Sequence, residues 1–300
     1  MRDGRNGGGL AAPLAAARRP SGRMRPELFL LAPLLLFVLA FEIYPILVMA
    51  WRSFFDQAGE VTLGNYLRIL EDPVYRTAVR NSLLFATAGA MVGAVGGTFV
   101  GYLAPRLPPR LHRFLLSLYS LPLTLSGLVV AFAFIVLLGR NGVLNLIVQR
   151  AFGLPRDVYF DIYSWYGIVL VYAFFQIPLM TLTMAAVFEN LDRSLIEAAR
   201  NLGARPWQVW RYVVIPVLAP GFLAGLSIQF AGLLGAFGTV LALVGGAKNL
   251  LAIQIYYHTS ESTYNLPQAA ALSITLIAII TAVLVLLNRL ERWARRSGGG

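Results

Sequence analysis

ENLDRSLIEAARNLGARPWQVWRYVVIPVLAPG runs from Glu189 to Gly221 and reads as two short helices set on a loop. Asp192 stands where it can cap the first helix, which the pattern predicts to run to about Leu202. Gly203 suits the left-handed residue that follows a helix end. Pro206 suits the first turn of the next helix, where its missing N–H does no harm. That second helix carries Trp207, Val209, Trp210 and Val213 and leads through Pro216 into an apolar run. Leu195, Ala198, Ala199 and Leu202 recur at i, i+3, i+4 and i+7, which gives the first helix an apolar face. Glu197 and Arg200 offer polar anchoring at its rim. A face of this kind needs a cover, supplied by the chain's own bundle, by the lipid interface, or by a groove on a partner protein. Periodicity leaves these readings open.

On either side lie apolar runs, at about 165–188 and 217–245. Others lie at about 28–51, 82–104, 114–138 and 267–288. Each is near or above the ~20 residues that cross a bilayer as a helix. Helix is required, because lipid offers no partner to a free backbone N–H or C=O. The expected fold is therefore all-α and polytopic, with about six transmembrane helices. Composition agrees: only 13% of the 300 residues are charged, against about 25% in a soluble domain. The run from Leu28 to Trp51 is too long for the 7–15-residue core of a signal peptide, and no small-residue cleavage site follows it. It reads as an uncleaved signal anchor. Residues 1–26, rich in Gly, Ala and Arg, read as a disordered cytoplasmic tail. Residues 27–290 form the membrane domain, with the loop 189–216 inside it, and 291–300 a cytoplasmic C-terminal tail.

The net charge of +11 is distributed as a topology signal rather than as a nucleic-acid surface. With the N-terminus inside, 17 of the 25 Lys and Arg residues fall on inside segments, and the outside loops are the longer ones. This excess places both ends in the cytoplasm and makes the number of spans even.

The chemistry that is missing narrows the function. The second to sixth spans hold no Asp, Glu, Lys, Arg or His in their apolar cores, and Glu42 is the lone acid within the first. A central charge costs roughly 2.5–3.5 kcal/mol to insert, so ion-coupled pumps keep one only for use. The only lysine, Lys248, follows Ala247, so no phosphate-cradling GxxxxGK[ST] loop exists. There is no cysteine, and the two histidines, His112 and His258, lie far apart. No catalytic residue, cofactor or metal site is expected, and the chain reads as a transport subunit rather than an enzyme. Any power stroke must come from a partner. Among the polar groups in the spans, Gln176 and Gln229 are the candidates for a substrate pathway, because a buried amide needs several partners.

The loop resembles the EAA loop of binding-protein-dependent ABC importer permeases, whose pattern is EAA, three residues, Gly, nine residues, then I-x-L-P. Here it is Glu197-Ala198-Ala199, Gly203, and Val213-Val214-Ile215-Pro216. The spacing is kept, and the departures at Val213 and Ile215 remain apolar. Leu121 to Asn145 and the segment LPQAAALSITLIAI are also similar to permeases of the polyamine, sulfate/molybdate, ferric-iron and phosphonate importers. The resemblance implies the type I, MetI-like permease fold in a bacterial inner membrane. It also implies a second permease subunit, identical or homologous, two cytoplasmic ABC ATPases and an extracytoplasmic substrate-binding protein. It assigns coupling to the ATPase to Glu197, Ala198, Ala199, Arg200, Gly203 and Pro216, and it tilts the substrate toward a small solute such as putrescine or spermidine. A secondary transporter or channel working without an ATPase is the alternative.

Overall fold

A computed structural model describes residues 26–245, 247–260 and 263–297. The expected N-terminal tail therefore lies outside the described residues, apart from Pro26. Six helices among them are long and apolar enough to cross a membrane: Leu31–Arg52, Pro73–Arg106, Gly127–Phe152, Trp165–Glu189, Pro206–Leu234 and Leu266–Trp293. Shorter helices, Gly64–Glu71, Pro109–Thr124, Arg193–Asn201, Phe237–Val244 and Leu251–Thr259, join them. The described residues contain no β-strand beyond one isolated bridge, Phe55 to Val61. The last helix continues to Ser297, so most of the expected C-terminal tail is helical.

The chain divides into two compact units, Met1–Ile46 and Leu47–Gly300. In the first, a helix begins at Pro26 and passes through a widened turn at Leu39–Ile43 that contains Glu42. Its Phe37 and Phe41 rings stack at 4.9 Å.

The second unit is organised by the crossing of the second and fourth spans. Gly93, Gly97 and Gly101 recur every four residues on one helix and face Gln176, Met180 and Met184, also four apart, on the other. Two such stripes lie along single helix faces, and the absent Cβ atoms let the backbones touch. A Cβ at Gly97 would come within 2.6 Å of the Ile177 carbonyl oxygen. The fifth span closes this pair, with Gly225 against Met180 and with Phe230 and Leu233 in the core beside Phe85 and Ala90.

Two expected spans are redrawn by the structure. The run 114–138 is not one helix, because the chain is extended at Leu125 and Ser126, between Pro109–Thr124 and Gly127–Leu138. Pro122 removes a donor from the last turn of the first piece. Gly127 then meets the Thr239 hydroxyl where a Cβ would overlap it. The run 217–245 likewise breaks after Leu234, and Ala236 (φ −77°, ψ 74°) turns the chain into the separate helix Phe237–Val244. The Tyr172 hydroxyl donates to the Ala236 carbonyl at 2.9 Å and holds that turn.

A third interruption, at Gly139–Gly142, is supported by one side chain. The Asn145 amide donates to the carbonyls of Leu138 and Gly139 at 3.0 and 2.9 Å, and its oxygen accepts from the Phe160 N–H at 3.0 Å. Backbone that leaves the helix needs its polar groups satisfied in this way.

Candidate functional site

The loop after the fourth span folds into the helix Arg193–Asn201, and both its ends are built from local chemistry. The Asp192 carboxylate accepts the Ser194 N–H at 2.8 Å. Hydrogen bonding to Ser194 holds the Asp192 carboxyl below its ordinary value. A depressed pKa means the cap is complete at neutral pH and is lost as pH falls through that lowered value. At the other end Gly203 takes φ +81°. The Gly203 N–H reaches the Arg200 carbonyl at 2.9 Å, and the Ala204 N–H reaches the Ala199 carbonyl at 3.1 Å. This pair of bonds is the Schellman closure, and it needs a left-handed residue where Gly203 stands.

The second loop helix starts at Pro206, and the Gln208 side chain accepts the Arg205 N–H at 2.7 Å. It runs into the fifth span through a widened turn at Trp210–Val214. The turn lies just ahead of Pro216, which has no N–H to offer the Tyr212 carbonyl one helical turn back.

The helix Arg193–Asn201 has two apolar faces, where the periodicity suggested one. Ile196 and Ala199 turn inward onto a cluster formed by Met180, Met184, Val209, Val214 and Leu218. Leu195 (45% exposed), Ala198 and Leu202 (89% exposed) form a ridge turned away from it. Ala199 is thus removed from the expected outer face, because its neighbours on the fourth and fifth spans cover it. Among the described residues nothing covers the ridge. Glu197 and Arg200 are exposed on the flank. Pro216 is half-buried at the start of the fifth span and stands apart from the ridge.

Gln176 and Gln229, from the fourth and fifth spans, are brought together. The Gln229 amide donates to the Gln176 backbone carbonyl at 2.6 Å. Both are buried, Gln229 completely, and Gly93 of the second span sits against them. This bond joins the fourth and fifth spans, and the side-chain oxygens of both glutamines are buried without a hydrogen-bond partner among the described residues. Ser227, Thr183, Ser273 and Thr275 each donate to the carbonyl four residues back on their own helix. That is the ordinary fate of hydroxyls in such helices.

The distal loops show a similar division. The Tyr75 hydroxyl and His258 Nε2 are 2.8 Å apart, and burial lowers the His258 pKa. Tyr256, Tyr257 and Tyr264 on the same segment are exposed. A cavity of about 710 Å³ opens beside Tyr264, between Trp51, Arg52 and Asp56.

Sequence reasoning missed the contacts around the loop helix. Tyr102, at the end of the second span, meets Phe188 edge-on at 5.4 Å and Trp210 at a tilt at 5.3 Å. The Arg106 guanidinium lies over that ring, 3.5 Å from its centre. His112 pairs with Glu189 at 3.2 Å. Apart from the Arg106–Tyr102 pair, which lies four residues apart on one span, these are contacts between separate helices that no local pattern announces.

Six helices long and apolar enough to cross a membrane, with an exposed apolar ridge on the loop after the fourth, define a polytopic membrane protein. Residues 73–296 match the binding-protein-dependent transport system inner membrane component, and the chain belongs to this family. It is 31% identical over 263 residues to the spermidine/putrescine transport system permease protein PotB of Salmonella typhimurium, covering 84% of this chain and 89% of that one. It is 28% identical over 261 residues to the sulfate transport system permease protein CysT of Escherichia coli, covering 85% and 90%. Its fold is like that of a chain in a bacterial ABC transporter involved in alginate import (TM-score 0.74, 16% identity, 89% and 95% covered). It is also like one in the MetNI methionine ABC transporter (TM-score 0.55, 18% identity, 75% and 99% covered). The chain is a multi-pass inner-membrane permease subunit of an ABC importer, a transport component rather than an enzyme. The reading as a transporter or channel working without an ATPase is set aside.

Proposed function

We propose that the ridge Leu195–Ala198–Leu202 docks into a groove on a cytoplasmic ABC ATPase, and that movement of the ATPase reaches the membrane bundle through the helix Arg193–Asn201. One observation carries this reading: Leu202, a leucine at the tip of a well-capped helix, is 89% exposed. Its burial in a partner's groove would remove that apolar surface from water, at roughly 25 cal/mol per Å². Glu197 and Arg200 flank the ridge and supply polar contacts at the rim, while Ala199 and Pro216 hold the helix to the bundle. The excess of arginine on the same side as this loop supports a cytoplasmic location for it and for both termini. Two permease subunits, identical or homologous, form the pathway, each engaging one ATPase. A binding protein delivers substrate at the opposite face, where Tyr256, Tyr257 and Tyr264 are exposed. Leu202→Asp is expected to cut recovery of the ATPase with a tagged chain at least about tenfold, since it replaces apolar burial with a charge. Membrane insertion stays unchanged. Full recovery with this variant would remove the ridge from the interface.

For the substrate we propose a small polyamine, on the strength of the relatives that carry putrescine and spermidine. Cells expressing the whole importer should take up labelled putrescine, with spermidine competing and sulfate not competing. Sulfate uptake without putrescine uptake would instead align the chain with its sulfate-transport relatives.

A further inference from the structure

The face of the helix Arg193–Asn201 beside the ridge borders a cavity of about 410 Å³. Arg193, Ile196, Glu197 and Arg200 line it from the helix, and Pro105, Arg106, Phe188 and Leu191 from the ends of the second and fourth spans. Two kinds of surface meet there. The floor is apolar, made by Phe188, Leu191 and Ile196. The rim carries three guanidiniums against one carboxylate. Among the described residues, neither Arg193 nor Arg200 belongs to an ion pair, and Arg106 bonds only its own Tyr102 carbonyl and stacks on the Tyr102 ring.

The depth of the cavity is marked independently. Tyr102, Phe188 and Trp210 cluster where the span ends meet, and Trp207 and Tyr212 form a further ring pair 6.2 Å apart. Aromatic rings of this kind gather where the hydrocarbon meets the headgroups. Basic pockets between helix ends at that level suit anionic lipid headgroups.

We propose that this cavity binds the headgroup of an anionic phospholipid, phosphatidylglycerol in the first instance. The phosphodiester sits among Arg106, Arg193 and Arg200, and the acyl chains follow the apolar floor toward the bilayer. Arginine forks match phosphate oxygens in pairs. Glu197 is the only acceptor side chain on the lining, and it takes a hydroxyl of the glycerol headgroup. A free phosphate ion shares the same charge but has no use for the floor, and the aromatic level favours the lipid. The proposal does not rest on the ATPase reading: Glu197 and Arg200 border both surfaces, but Arg106 and Arg193 line the cavity without belonging to the ridge.

The test is native mass spectrometry of the full chain in neutral detergent, titrated with phosphatidylglycerol and with phosphatidylcholine. The wild-type chain should retain one phosphatidylglycerol in preference to phosphatidylcholine. Arg106→Gln with Arg193→Gln should reduce that preference about thirtyfold, from roughly 1 kcal/mol per basic residue at about tenfold per 1.4 kcal/mol. Arg193→Gln alone leaves the helix intact and should show a partial loss, and Arg193→Lys should restore most of it. Leu202→Asp should bind lipid as the wild type does, which separates this site from the docking ridge. Equal retention of both lipids, or an undiminished preference in the double variant, would overturn the proposal. Displacement of phosphatidylglycerol by millimolar inorganic phosphate would overturn it too, by making the cavity a site for a soluble anion.

Discussion

Gly97→Val leaves little folded protein in the membrane, and what survives unfolds at a much lower temperature than the wild type. Gly97 lies where the second and fourth spans touch. A Cβ there would overlap the Met180 Cβ, and it would stand 2.6 Å from the Ile177 carbonyl oxygen and 2.9 Å from the Thr181 nitrogen. Two of these three are backbone atoms, which cannot rotate out of the way. The helices must separate, and the adjoining contacts of Gly93 and Gly101 would loosen with them. Overpacking of an ordinary core costs about 1–3 kcal/mol, and a clash with backbone belongs at or above the top of that range. Gly232 is the control, since a Cβ there meets nothing within 4 Å. Gly232→Ala should be neutral or slightly stabilising, because alanine gains up to about 1 kcal/mol over glycine within a helix. Thermal unfolding in detergent, followed by helical circular dichroism, reads both variants. An unchanged midpoint for Gly97→Val would mean that the crossing is not what holds the bundle.

Glu197→Lys and Gly203→Asp should each abolish uptake while the chain still inserts at wild-type levels. Glu197 is exposed on the flank of the proposed docking ridge, so reversing its charge alters what the ATPase meets and leaves the chain's own core alone. Gly203 acts through the backbone. At φ +81° it ends the helix, and any side chain strains a conformation that costs L-residues roughly 1–2 kcal/mol. Once that end is lost, Leu202 no longer points where the ridge requires. The control is Gly153, which also has a positive φ (+64°) with open space around it, after the helix Val143–Phe152. Gly153→Asp carries a similar backbone penalty, and uptake should persist. ATP-dependent uptake into vesicles, compared with the amount of inserted chain, separates the cases. Uptake at wild-type rates in both Glu197→Lys and Gly203→Asp would take the coupling role away from this helix.

Where local chemistry decides, the residues were readable directly. Asp192 caps its helix, Gly203 takes the left-handed conformation and Pro206 opens the next helix, because each outcome depends on atoms a few residues away. The apolar face of the loop helix was half legible. Periodicity groups Ala199 with Leu195, Ala198 and Leu202, and only the cluster around Met184 and Val214 shows that Ala199 belongs inside. The runs 114–138 and 217–245 failed as single spans for a related reason. Hydropathy measures how long an apolar stretch is, while Thr239 against Gly127 and Tyr172 at Ala236 decide where it bends. The arginine-lined cavity was invisible for the same cause, as its lining joins residues 105–106 to residues 188–200, far away in sequence.

The sequence by itself determined an all-helical membrane chain with a capped helix on the loop after its fourth span, because insertion and capping depend on composition and near neighbours. Tertiary structure alone decided which side of that helix stays bare, and that Gln176 and Gln229 meet in a sealed interior. Burial is a property of what lies opposite a side chain, and what lies opposite is set by helices distant in sequence.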